Sequence, residues 1–310
     1  MFKHHLFVLL LAGTVLAGCA SEPARQVTST PAAPVAATTV ASQPLAVAVD
    51  RPRNFSSDLV DATVWVQTAV EHDVIFVQTY RQAEMRLKTA LADKQWDALV
   101  PAERENSFGK LPPAVILDID ETVLDNSPYE ARMIRSGAEY NEATWGAWVK
   151  EASARPLPGA LEFTRYAADH GVAVFYLSNR DQSLDEATLQ NLRTQGFPVS
   201  GPDAFLGLGT IVPDCEQIGT QKTCRRQLVG RKYRVLMQFG DQIGDFMPVL
   251  VNTPDGRRKA TAPHMDWFGE RWFMLPNPMY GHWQPALFNN DWTLSPARRH
   301  AETVEALRVK

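Results

Sequence analysis

Three short apolar runs, each closing on polar residues, constrain this chain more than any other feature. Ala114–Leu117 leads into Asp118, Ile119 and Asp120. Gly171–Leu177 leads into Ser178, Asn179 and Arg180, and Tyr233–Phe239 leads into Gly240 and Asp241. Runs rich in branched and aromatic residues read as strands buried on both faces of a parallel sheet. Helical stretches are predicted between them at 159–170, 183–195 and 222–230. Strand–helix alternation predicts a doubly wound α/β sheet. In such sheets ligands bind beyond the carboxyl ends of the strands, where all three runs deliver their polar residues.

The string DIDETVLDN, residues 118–126, carries the strongest chemical signal. Alternation at a strand end puts Asp118 and Asp120 on one side. Two carboxylates that close repel each other unless a cation or a shared proton compensates. One can attack phosphorus while the other handles the proton. An isolated pair of this kind would read as a polar turn; the strand context and the downstream polar residues favour function.

The sequence resembles the haloacid dehalogenase superfamily and, within it, the class C acid phosphatases, bacterial lipoproteins often active on nucleotides. Four motifs match in order: DIDET with Asp118, Asp120 and Thr122; Ser178 in LSNR; a lysine, matched by Lys222 in QKTCRR; and GDQIGD with Asp241 and Asp245. DIDETVLDNSPYE and NPMYGHW look particularly like class C members, and the likeness covers about residues 55–290. The resemblance implies a Rossmann-like core, hydrolysis of small phosphomonoesters and Mg²⁺ as cofactor. Asp118 would be the nucleophile, forming an aspartyl phosphate, with Asp120 as general acid and base. Asp118, Asp241, the Asp120 carbonyl and Asp245 in the outer shell would serve the metal. Lys222 would neutralise the phosphoryl group, to which Thr122, Ser178 and the Asn179 backbone would donate. Lys232 lies nearby, but the family places its lysine at a helix start. Arg225 and Arg226 read as exposed helix charges.

The interval after the first motif holds a cap in this superfamily, here at about 127–158. Trp145 and Trp148 lie three residues apart in it, hence on one helix face. Trp148 reads as cap core. The resemblance pairs Trp145 with Tyr280 as rings that stack on a nucleobase.

The N-terminus reads as a leader. An apolar run ends in Leu16-Ala17-Gly18-Cys19, which resembles a bacterial lipobox and is too short to span a bilayer. Residues 1–18 are therefore expected to be a lipoprotein signal peptide and Cys19 the lipidated residue. Ala20 at the next position leans towards the outer membrane. Residues 19–54 read as a flexible linker. From Ser57 onward, Val60, Val64, Val70, Val74, Val77, Tyr80, Leu87 and Leu91 recur at a spacing of roughly three to four, predicting an amphipathic helix or helix pair. Residues 291–310 are expected to hold a C-terminal helix begun by Ser295-Pro296.

Export leaves Cys215 and Cys224 as the remaining thiols, and an oxidising compartment favours their joining. Net charge is -4 with no long basic run, which argues against a nucleic-acid polymer as partner. There is no GxSxG elbow and no zinc-like His/Cys cluster. A homo-oligomer is compatible with the sequence. Two other readings stay open at this point: a phosphotransferase using the same intermediate, and a non-enzymatic envelope lipoprotein that binds ligands on a phosphatase fold.

Overall fold

The computed structural model describes residues 59–310. The leader, Cys19 and the linker to residue 54 lie outside the described residues. Two helices come first, α1 (Val60–Thr68) and α2 (Val70–Ala92). The core strands are β1 (Pro113–Leu117), β4 (Ala173–Asp181), β5 (Phe205–Leu208), β6 (Arg234–Gly240) and β7 (Trp272–Met274). They form one parallel sheet in the order β5-β4-β1-β6-β7. The three apolar runs become its central strands, with Leu117 in register with both Tyr176 and Phe239. That register brings Asp118, Ser178 and Asp241 to one rim.

Helices α5 (Ala160–Asp169), α6 (Asp185–Thr194) and α7 (Thr223–Lys232) cross between strands, α8 (Pro254–Thr261) follows β6, and α9 (Pro296–Glu305) lies near the C-terminus. A cap is inserted after β1. It begins and ends on a short antiparallel pair, β2 (Leu124–Asp125) with β3 (Arg155–Pro156), and holds α3 (Ser127–Ser136) and α4 (Glu142–Lys150). Gly137, at φ 69°, ends α3 in the left-handed conformation that favours glycine. Asn141 caps α4 by accepting from the Thr144 N–H at 2.9 Å.

The N-terminal helices depart from the expected stripe. Val64, Val70 and Val74 are exposed, whereas Phe76, Tyr80, Ala83, Leu87 and Ala90 are buried. The physical reason is a break: Ala69 is extended, at φ -81° and ψ 122°, so α2 starts its periodicity afresh. Its buried side packs on the sheet, with the Tyr80 ring stacked 5.4 Å from that of Phe239. Each such ring contributes roughly 1.5–3 kcal/mol by leaving water. The Tyr80 hydroxyl reaches further and donates to the Thr122 carbonyl at 2.8 Å. The N-terminal helices thus buttress the turn that carries the first motif.

Candidate active site

The chain leaves β1 through a tight turn. The N–H groups of Val123 and Leu124 both donate to the Ile119 carbonyl at 2.9 Å, and Glu121 adopts a left-handed φ of 56°. Asp118 stays on the strand axis, fixed by its N–H to the Phe239 carbonyl at 3.0 Å. Asp120 is turned towards β4. The two carboxylates therefore share a rim but have different partners.

Lys222 is the hub of the first group. It caps α7, and its buried ammonium donates to Asp118 Oδ1 at 2.5 Å, Asp245 Oδ1 at 2.7 Å and the Leu177 carbonyl at 2.8 Å. An ammonium has three donors, and these contacts use them all. The two carboxylates hold its pKa above the ordinary value despite burial. Lys232, by contrast, is exposed. Asp241 accepts from the Asn277 amide at 2.8 Å, and Asp245 from the Gln242 N–H at 2.9 Å. Gly240 permits this packing, because a Cβ there would collide with the Asp245 side chain.

Asp118, Asp241 and Asp245 each offer one carboxylate oxygen, all within 4.8 Å of one another. Burial pushes the Asp118 carboxyl up to about 7, with Asp245 and Asp120 adding to the rise and Lys222 opposing it. Burial, Asp245 and Asp118 raise Asp241 well above the usual carboxylate range. Three carboxylates against one ammonium leave excess negative charge, which a divalent cation would offset. An all-oxygen donor set suits a hard cation such as Mg²⁺.

Asp120 belongs to a second group that the sequence reasoning largely missed. Arg180, 2% exposed, grips its carboxylate with Nη2 at 2.7 Å and Nε at 3.0 Å. The Asn126 amide donates to the same oxygen at 2.8 Å, and the Ser178 hydroxyl to the other at 3.1 Å. Both missed residues close strings already singled out, Arg180 in LSNR and Asn126 in DIDETVLDN. Asn179 accepts from Arg225 at 2.7 Å. Thr122 is fully buried, and among the described residues nothing bonds its hydroxyl.

The expectation that Arg225 and Arg226 are exposed is wrong: they are 1% and 0% exposed. Arg225 donates to the Ser178 carbonyl at 2.5 Å, and Arg226 pairs with Glu103. Helix α7 lies against the sheet, so both chains are drawn inward to carbonyls and a carboxylate.

In the cap, Trp148 is buried and donates to Asn126 Oδ1 at 2.8 Å. Trp145 is half-buried and meets Tyr129 edge-on at 5.2 Å and Tyr140 at 6.3 Å. Tyr280 lies half-buried in the loop after β7, where its N–H donates to Asn277 Oδ1 at 3.4 Å. Among the described residues no ring contact joins Trp145 to Tyr280. Cys215 and Cys224 form a disulfide, with Cα atoms 5.6 Å apart, closing the loop that leads to Lys222.

The family model for the acid phosphatases of subfamily IIIB of the haloacid dehalogenase superfamily matches residues 35–283. The chain belongs to this family. Among solved structures, the class C acid phosphatase from Bacillus anthracis aligns with a TM-score of 0.71 at 30% identity, covering 83% of this chain and 100% of that one. The same enzyme with tungstate bound aligns with a TM-score of 0.72. Plant proteins are similar over 53% of this chain. The stem 31 kDa glycoprotein of Glycine max is 29% identical, and acid phosphatase 1 of Solanum lycopersicum 28%. The chain spans 58% and 57% of those two relatives' lengths.

Proposed function

We propose that this protein hydrolyses phosphomonoesters through an aspartyl phosphate on Asp118. The observation that carries the reading is the position of Lys222 Nζ, bonded at once to Asp118 and Asp245. A carboxylate can attack an anionic phosphate only where positive charge screens it, and a buried ammonium does so strongly. An Asp118 oxygen attacks phosphorus in line as the ester P–O bond breaks, and Asp120 gives its proton to the leaving oxygen. Asp120 then takes a proton from water, whose oxygen attacks phosphorus as the bond to Asp118 breaks, freeing phosphate. Mg²⁺ held by Asp118, Asp241 and Asp245 would supply further screening of the phosphoryl oxygens. The tungstate bound by the Bacillus anthracis relative, an oxyanion shaped like phosphate, supports an anion site of this kind.

Nucleoside 5′-monophosphates are the proposed substrates. Trp145 stands half-buried in the cap, and Tyr280 follows Asn277, which bonds Asp241. Base–aromatic stacking contributes roughly 1–3 kcal/mol per base. Trp145→Ala or Tyr280→Ala should then raise KM for a nucleoside monophosphate more than for a small alkyl phosphate. The protein is also proposed to be an outer-membrane lipoprotein anchored at Cys19. Mass spectrometry of the mature N-terminus should find an acylated cysteine; an unmodified terminus elsewhere would refute the anchor.

The central test is hydrolysis of p-nitrophenyl phosphate with Mg²⁺ and with a chelator. Wild type should turn over only with the metal. Asp118→Asn should lose turnover while keeping the fold by circular dichroism. Wild-type-like activity in that variant would end the nucleophile assignment.

A further inference from the structure

Arg180 is among the most deeply buried charged side chains of the protein, at 2% exposure, which leaves it little access to substrate. It lies near the end of β4, and its guanidinium gathers groups from separate parts of the fold. Nε donates to Asp120 Oδ1 at 3.0 Å and Oδ2 at 3.3 Å. Nη2 donates to Asp120 Oδ1 at 2.7 Å and Asn126 Oδ1 at 3.4 Å. Nη1 donates to the Thr188 hydroxyl on α6 at 3.2 Å. The guanidinium carbon lies 5.6 Å from the ring centre of Trp145 on cap helix α4. The second tryptophan of that helix, Trp148, holds Asn126.

We propose that Arg180 is a positioning residue: it fixes the Asp120 carboxylate for proton transfer to the leaving oxygen, and ties that orientation to the cap through Trp145. The inference rests on the phosphomonoesterase reading and deepens it. Asp120 sits within a tight turn, immediately before the left-handed residue Glu121, and its side chain is only partly enclosed, at 16% exposure. Without the guanidinium, only the Asn126 amide and the Ser178 hydroxyl would hold it, one donor to each oxygen. A planar guanidinium fork, itself anchored on Thr188, restricts the carboxylate plane in a way that a point charge does not. The cap meets this network twice, at Trp145 and at Trp148. A substrate that settles the cap therefore also settles the acid.

Proton transfer matters in proportion to the basicity of the departing oxygen. A p-nitrophenolate leaves readily without a proton, whereas an alkoxide does not. A mispositioned Asp120 therefore penalises alkyl esters selectively, and a general loss of structure penalises both ester classes alike. The comparison uses kcat/KM, which reports the step that breaks the ester bond.

The test compares p-nitrophenyl phosphate with glycerol 2-phosphate in the full protein with Mg²⁺, for wild type, Arg180→Met, Arg180→Lys and Thr188→Val. General acid help amounts to about 10²–10⁴-fold. Arg180→Met should therefore lower kcat/KM on the alkyl ester about ten- to a hundredfold more than on the aryl ester. Arg180→Lys should recover only part of the difference, because it restores charge without the fork. Thr188→Val, a small change at the far side of the fork, should show the same selectivity at several-fold scale, and it carries the test if both Arg180 variants fail to fold. Equal falls on the two esters in the folded variants would overturn the inference while leaving the phosphatase reading intact. Absence of wild-type turnover on both esters would overturn that reading, and this inference with it.

Discussion

Glu103 and Arg226 form a bidentate ion pair, at 2.7 and 2.5 Å, in which neither residue is more than 2% exposed. Glu103 precedes β1, in the turn Pro101–Glu103, and Arg226 is on α7. The remaining arm of the guanidinium donates to the carbonyls of Gly244, at 2.8 Å, and Asp245, at 3.1 Å. One buried pair thus fastens the loop of Asp241 and Asp245 to the helix that begins at Lys222.

Truncating one partner leaves the other charged and buried, a situation that typically costs about 3–5 kcal/mol. Glu103→Ala should lower stability by about that amount in urea denaturation. It should also weaken Mg²⁺ binding measured by calorimetry, since Arg226 would no longer be held against the loop carbonyls. Stability within about 0.5 kcal/mol of wild type would mean that the pair is dispensable.

Gly240→Ala tests the same loop from the strand side. The added methyl would collide with the Asp245 side chain, which Lys222 and the Gln242 N–H hold in place. Overpacking typically costs about 1–3 kcal/mol. Relief would have to come from moving a carboxylate proposed to face Mg²⁺. Mg²⁺ affinity should therefore fall at least about tenfold, and a calorimetric titration matching wild type would contradict the assignment.

What the sequence made legible follows from how local each signal is. β1, β4 and β6 are central strands, covered on both faces, so their apolar runs stand out. β5 and β7 are edge strands of four and three residues, and Gly207 interrupts the first, so no run reveals them. Asp118, Lys222, Asp241 and Asp245 sit at strand or helix ends and were identified by motif. Arg180, Asn126, Glu103 and Arg226 were not, because their roles depend on partners up to 123 positions away. A charge on a short helix normally reads as solvated, and only the packing of α7 against the sheet shows otherwise for Arg226.

Glu130, in the cap helix α3, yields a prediction about pH. Burial alone pushes its carboxyl up to about 7, against an ordinary value of 4.5. A folded-state pKa above the unfolded one means that the folded protein binds the proton more tightly. The contribution to stability is thus fully present below pH 4.5 and is lost as pH rises through about 7. The span corresponds to roughly 3–3.5 kcal/mol. Glu130→Gln should flatten this part of the profile. Urea denaturation at pH 5 and pH 8 checks it, and an unchanged difference between the two pH values in the variant would refute the assignment.

The last prediction concerns the disulfide Cys215–Cys224 and the lysine it leads to. The bridge closes a loop of sequence separation 9 and ends on α7, one residue past Thr223 and two past Lys222. Closing so short a loop stabilises by roughly 2–3 kcal/mol, mostly by restricting the unfolded chain. That effect alone would leave the rate of the folded enzyme unchanged. The loop has other fastenings: the Gln221 amide donates to the Val249 carbonyl at 3.0 Å, and Arg225 to the Thr220 carbonyl at 3.3 Å. Reduction should therefore loosen Lys222 without releasing it. Small misplacements of a catalytic group are costly, up to about 10²-fold for 1 Å. A partial loosening should lower kcat by about tenfold at temperatures where the reduced protein is still fully folded. Cys215→Ser with Cys224→Ser should reproduce the effect without reductant. Thiol titration of the denatured, unreduced protein establishes the bridge, and two reactive thiols there would refute it. If the bridge is present and the reduced, folded enzyme keeps its full kcat, the disulfide acts on stability alone and Lys222 is positioned by its three acceptors.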